Sequence, residues 1–172
     1  MIVRLTTDAD RDEVLNCVRD AFSGEDRGGR DEVDVVVAVW ALDAPVVGGD
    51  LVAVAGGVVV GHVLASPGRL GDRAVPGIAP LAVRPGHQGH GIGTALVRDV
   101  LRGLDRVGFP LVVVLGDPGY YRRFGFEPSG PRGIHYGPVG SDDPHFQIRR
   151  LSHYDTACTG EYTYSWEVAP GR

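Results

Sequence analysis

The sequence predicts an α+β (α/β) fold, a mixed sheet with helices packed on it. Three observations carry that expectation. The pair Gly56-Gly57 separates two β-branched runs, LVAVA and VVVGHVLAS, and two glycines accept the positive φ angles of a tight antiparallel hairpin. Apolar residues recur at helical spacing in the first forty residues and again between Ala95 and Val107. Between these lies a strand that runs into a glycine-rich turn opening a helix, LAVRPGHQGHGIGTALV at residues 81–97.

In chain order, Ile2 to Leu5 reads as a short strand. Thr7 is placed to cap a helix, with Asp8 and Asp10 suited to its positive end and Val14, Val18 and Phe22 on one face. After a polar break at Gly24 to Gly29, Asp31 could cap a second helix bearing Val33, Val36, Val37 and Trp40; the same β-branched run would suit a strand. The hairpin follows, then a loop from Pro67 to Arg73. A strand from Val75 to Val83 contains Pro76 and Pro80, which hint at an edge or a bulge. Gly108 can end the central helix, and PLVVVL (Pro110 to Leu115) reads as a strand buried on both faces. GDPGYYRRFGF is a turn with about one helical turn after it. Strands are expected at Phe146 to Leu151 and Glu161 to Val168. One domain is expected over residues 1–172, with its motifs in 1–127 and a loop- and strand-rich part at 128–172.

Composition narrows the function classes. The chain holds 26 glycines and 12 prolines, and all 17 basic residues are arginine. A net charge of -5 argues against broad nucleic-acid binding. Two cysteines are too few for a disulfide framework, and no Cys/His cluster suggests a metal. The start of the chain lacks a signal peptide's apolar region, and the apolar stretch Leu51 to Ala65 is broken by glycines and His62. A cytoplasmic protein without membrane or nucleic-acid partners is expected, and a homodimer is allowed.

The loop at 84–94 carries the chemistry. A helix N-terminus offers unpaired N–H groups and positive potential to phosphate, and Gly89, Gly91 and Gly93 leave the approach bare. A chain without lysine cannot form a P-loop. The dinucleotide fingerprint fails because Leu96 stands where its third glycine is required. What remains is Gln88-x-x-Gly91-x-Gly93.

That motif, after Val83-Arg84-Pro85, resembles the signature of the GNAT superfamily of acetyl-CoA-dependent N-acetyltransferases. The run Tyr120-Tyr121-Arg122-Arg123-Phe124-Gly125-Phe126 resembles the family's second mark, and the longer GDPGYYRRFGF looks like a bacterial subgroup of mostly unassigned substrate. The resemblance implies the acyl-CoA N-acyltransferase fold: a mostly antiparallel sheet splayed at its central strands, with helices on both faces. It further implies that backbone groups of Leu81, Ala82 and Val83 hold the pantetheine arm. Amides of Gln88, Gly89, His90, Gly91, Ile92, Gly93 and Thr94 would wrap the pyrophosphate, and Tyr121 would donate a proton to the departing sulfur.

A base must deprotonate the attacking ammonium. Where many relatives place a strand glutamate, this chain has Gly77-Ile78-Ala79-Pro80. His62 could relay a proton or be a satisfied core residue; Asp117 could act as a base or fix its own turn; a water chain is a third route. Tyr120 is read as packing. His87 and His90 suit phosphate contact or solvent, and Arg122 and Arg123 either a solvated face or the CoA phosphates. The implied function is acetyl transfer from acetyl-CoA, without metal, to a primary amine of a small polar metabolite by direct attack in a ternary complex. Acetylation of a protein N-terminus or lysine, and a non-catalytic acyl-CoA sensor, are the alternatives. The acceptor cleft is expected from loops 24–31, 66–74 and 129–145, with Arg132, Asp142, Asp143 and His145 as its polar content.

Overall fold

A computed structural model describes residues 1–25, 28–42, 45–140 and 142–167. Its main sheet has seven strands: β1 (Ile2–Leu5), β2 (Asp50–Ala55), β3 (Val58–Ser66), β6 (Gly77–Val83), β7 (Leu111–Leu115), β10 (Phe146–Arg150) and β8 (Glu127–Pro128), in that spatial order. Only β6 and β7 run parallel; every other pairing in this sheet is antiparallel. The hairpin between β2 and β3 turns at Gly56 and Gly57, with φ of 59° and 81°. These left-handed values are open to glycine and costly to other residues.

Helices cover both faces. On one, α1 (Arg11–Ala21) and α2 (Arg30–Trp40) bury Val14, Val18, Val36 and Val39 against Val52, Val59, Leu64 and Ala82. On the other, α3 (Ile92–Val107) buries Leu96, Val97, Val100 and Leu104 against Ala53, Val63, Val112 and Val114. The ambiguous β-branched run is therefore helical. Valines at i and i+3 gain a buried surface as a helix, and that packing outweighs their modest helix propensity. Its N-cap is Gly29, not Asp31, which lies in the first turn. At the start of the chain, Thr7 N–H donates to Asp10 (2.8 Å), and Asp10 also takes a bidentate pair from Arg4 (2.7 and 2.8 Å). A short 3-10 turn, Asp8–Asp10, thereby leads into α1.

The segment expected as a loop at 67–73 instead forms β4 (Gly68–Leu70), which pairs with β5 (Arg73–Ala74). With β11 (Gly160–Tyr164) and β9 (Ile134–His135) they make a second sheet in the order β5-β4-β11-β9. This small sheet covers the side of β7 and β10 that α1 and α2 leave bare. Leu111, Val113, Phe146 and Ile148 pack there with Tyr162 and Tyr164, while Val112 and Val114 face α3. Strand β7 is thus buried on both faces, as its apolar run predicts. The expected strand at 161–168 ends at Tyr164 and turns into a 3-10 segment, Ser165–Glu167; Val168 lies outside the described residues. Likewise, the strand expected at 75–83 begins only at Gly77. Near Pro80, which has no N–H to offer the ladder, the register jumps from Val63 opposite Leu81 to Ala65 opposite Ile78.

Candidate active site

Strand β6 pairs with β3 over most of its length but with β7 only at Gly77 and Ile78. Beyond Ile78 the two parallel strands part. Alternation decides which groups the gap exposes. Arg84 N–H donates to the Val60 carbonyl on the β3 side (3.0 Å), so the backbone groups of Ala82 share that side. Those of Leu81 and Val83 face the gap, and the Val83 carbonyl accepts from the Gln88 side-chain amide at 3.0 Å.

The gap opens into a groove of about 470 Å³ in front of α3. Gly91 caps the helix with φ of 79°, and the first backward bond of α3 runs from Ala95 N–H to the Gly91 carbonyl (3.0 Å). The amides from Gly89 to Thr94 precede that ladder and are directed by the turn. A Cβ on Gly93 would stand 2.6 Å from the Tyr120 hydroxyl, so any side chain there would have to displace the ring. Of the residues expected to hold the cofactor, Leu81, Val83, Gln88, Gly89, Gly91, Ile92, Gly93 and Thr94 line this groove. Ala82 and His90 do not. The Ala82 side chain is buried beneath α1 and α2, and His90 Nδ1–H donates to the Gln88 carbonyl (2.8 Å). His87 lines the groove and Arg122 does not.

Short helix α4 (Pro118–Tyr121) starts at Asp117, whose Oδ1 accepts Gly119 N–H at 2.8 Å. This is the turn-fixing bond considered for that residue. The helix sends its two tyrosines to different places. Tyr120, expected only to pack, lines the cofactor groove with Arg123, whose guanidinium lies 4.7 Å over its ring. Tyr121, nine-tenths buried, lines a second cavity of about 540 Å³. Burial, and then the neighbouring Tyr120, push the Tyr121 phenol well above its ordinary pKa, so it holds its proton at neutral pH.

The second cavity lies between β6, the end of β7, α2 and the small sheet. It shares Leu81 with the cofactor groove. Ile78, Ala79 and Pro80 form its floor without a carboxylate, as the sequence indicates, but four carboxylates come from elsewhere: Glu25, Asp31, Glu32 and Asp117. Desolvation, reinforced by Glu25 and Asp31, raises the pKa of Glu32. Sequence reasoning missed Glu32 because an acidic first turn is ordinary helix chemistry; its place on the cavity arises from α2 packing across β6. Of the three loops expected to build the cleft, 24–31 contributes Glu25 and Asp31, and 129–145 contributes Tyr136. Loop 66–74 forms β4 and β5 and lines none of it, nor do Arg132, Asp142, Asp143 or His145.

His62 is not brought to the cavity. It is fully buried, and its Nε2 lies 2.9 Å from Asp50 Oδ1, next to Trp40, which donates to the same carboxylate at 2.8 Å. Among the described residues, no three His, Cys, Asp or Glu side chains converge on a metal position, and no helix is long and apolar enough to cross a membrane.

A splayed parallel pair feeding a bare-backbone helix N-terminus defines an acyl-CoA N-acyltransferase fold. The chain belongs to the GNAT acetyltransferase family: residues 2–129 match the acetyltransferase (GNAT) domain model. It is 38% identical over 106 residues to the uncharacterised N-acetyltransferase YhbS of Escherichia coli K12, over 60% of this chain; the match spans 62% of that relative's length. A second E. coli K12 protein, the uncharacterised N-acetyltransferase YjhQ, is 40% identical over 82 residues, 45% of each chain. Among solved structures, E. coli YhbS in complex with CoA superimposes with a TM-score of 0.81 at 29% identity, covering 95% of this chain and 88% of that one. A GNAT acetyltransferase from Brucella melitensis in complex with acetyl-CoA gives 0.74 at 29% identity, covering 95% and 94%.

Proposed function

We propose that this chain, as one domain over residues 1–172, transfers an acetyl group from acetyl-CoA to a primary amine of a small polar metabolite, by direct attack in a ternary complex. The observation that carries this reading is that the groove and the acidic cavity meet at Leu81, on the open edge of β6. A donor held in one and an acceptor held in the other would react across that strand. The cavity has the volume of a small-molecule site.

The groove suits a CoA phosphate chain. Amides from Gly89 to Thr94 and the positive end of α3 meet pyrophosphate charge without lysine, and Arg123 adds a cation at the rim. Outward-facing groups of Leu81 and Val83 can pair with the amides of the pantetheine arm. Acetyl-CoA supplies the activated acyl group as a thioester. Glu32, with its raised pKa, is suited to take the proton from the acceptor's ammonium, and Tyr121 to give one to the departing sulfur. The two buried, unpaired cysteines are in keeping with a cytoplasmic setting.

The reading is tested by titrating CoA calorimetrically and by following free-thiol release from acetyl-CoA with a panel of primary amines. Saturable CoA binding and amine-dependent thiol release are expected. No binding at millimolar CoA would refute it.

A further inference from the structure

We propose that the acceptor is a dication: two amino groups on a hydrocarbon spacer, with no carboxylate. This rests on the acyl-transfer reading above and adds the acceptor's chemistry to it. The two halves of the site carry opposite charge. Among the described residues, the cofactor groove is lined by Arg123 and His87 and by no carboxylate. Among the described residues, the acceptor cavity is lined by the carboxylates Glu25, Asp31, Glu32 and Asp117 and by no arginine or histidine. An amino acid or any other carboxylate-bearing amine entering it would meet like charge from these four carboxylates, whereas a cation would be attracted by them.

One ammonium does not account for the whole lining. The far wall is aromatic. Tyr164 and Trp166 stack at 5.3 Å, and Tyr136 lies edge-on to Tyr164 at 5.7 Å. The Tyr136 hydroxyl donates to Glu167, outside the lining, which leaves ring surface for the cavity. Ring faces accept methylene groups and attract cations. The Tyr121 hydroxyl, on a side chain nine-tenths buried against the cavity, makes no hydrogen bond to another described residue. The arrangement has three parts in sequence: a reacting amine beside Tyr121 that gives its proton to Glu32, a spacer along the rings, and a second ammonium, still charged, at the rim formed by Glu25 and Asp31.

The test is calorimetric binding of putrescine, n-butylamine and γ-aminobutyrate to the CoA-loaded protein, in parallel with thiol release from acetyl-CoA with each. Putrescine should bind at least about tenfold tighter than n-butylamine, the effect of one partly desolvated ion pair, and γ-aminobutyrate should not bind at millimolar concentration. Glu25→Gln should weaken putrescine about fivefold and n-butylamine by less than about twofold. Putrescine binding without thiol release from any amine would keep the dication pocket and overturn the transfer reading. Thiol release that favours n-butylamine or γ-aminobutyrate would keep transfer and overturn the dication. Failure of putrescine to bind, or a Glu25→Gln protein that binds it normally, would also overturn the dication.

Discussion

Replacing Tyr121 by Phe removes one oxygen and little else, which makes it the cleanest probe of the proton-donor role. The Tyr121 ring meets Tyr120, Phe126 and Phe124 at centroid distances of 5.1, 5.4 and 6.4 Å, and phenylalanine keeps all three contacts. Its hydroxyl makes no hydrogen bond to another described residue, so no buried partner is stranded and folding stability should change by less than about 1 kcal/mol. The cofactor groove is lined by Tyr120, not Tyr121, so CoA affinity should stay within about twofold. Turnover should behave differently. A positioned general acid contributes roughly two to four orders of magnitude, and the lower figure corresponds to about 2.7 kcal/mol in the barrier. Steady-state thiol release should therefore show kcat down about 100-fold with unchanged calorimetric CoA binding and an unchanged melting temperature. A kcat within threefold of the parent would remove Tyr121 from the chemistry. An equal loss of CoA affinity would make it a packing residue of the groove.

Glu32→Gln should abolish the acidic limb of kcat/KM for the amine. The native carboxyl titrates above its ordinary value of about 4.3; activity should fall as pH drops through that raised pKa, because a protonated Glu32 cannot accept a proton. A limb that persists in the variant would assign the base elsewhere. For Asp10, the hydrogen bonds from Arg4 hold the carboxyl well below its ordinary range. A depressed folded pKa stabilises above the unfolded value of about 3.9 and loses that contribution as pH falls below it. Asp10→Asn should cost about 1–2 kcal/mol at neutral pH in urea unfolding and flatten the acid limb of stability, Arg4 being partly exposed; unchanged neutral stability would count against it. His62→Ala should lower stability by about 2–4 kcal/mol and leave kcat intact at 25 °C. A large loss of kcat in protein that is still folded would restore the proton relay.

The contrast between His62 and the glycine loop explains what the sequence could disclose. The loop's function is local. Gln88, Gly91 and Gly93 lie within six residues of one another at a strand-to-helix junction, so spacing alone specifies bare amides aimed at one point. For His62, period-two counting along β3 misleads. A register shift near Val59 sets both Val60 and Gly61 toward α3, which turns His62 under α1 and α2 beside Trp40 and Asp50. Strict alternation from Val59 would have sent it to the opposite face. The carboxylates of the second cavity were hidden for a third reason. Glu25 and Glu32 have the composition of a loop and a helix start, and nothing in their neighbours indicates that α2 lies over the outer half of β6. The small sheet was obscure because β4, β5 and β9 span only two or three residues each. Their pairing depends on the tyrosines of β11 filling the space beneath, a long-range condition with no local period.

The chain's overall charge of -5 is similarly uninformative about phosphate, and the site shows why. A phosphate held by backbone amides and a helix end needs no cationic side chains, so a protein can bind CoA without any lysine and with a negative balance. Four carboxylates, Glu25, Asp31, Glu32 and Asp117, gather around the cavity on the far side of Leu81. If a polyanionic donor enters the groove and a cationic acceptor the cavity, as proposed, each would be repelled from the other's half. The acceptor's ammonium would be drawn past the phosphates to the carboxylates that can deprotonate it. Charge reversal at the rim, Glu25→Arg, should on this account bring CoA-competitive anions into the acceptor cavity as well as excluding the amine. That double effect would not be expected if the carboxylates were only a solvated helix start.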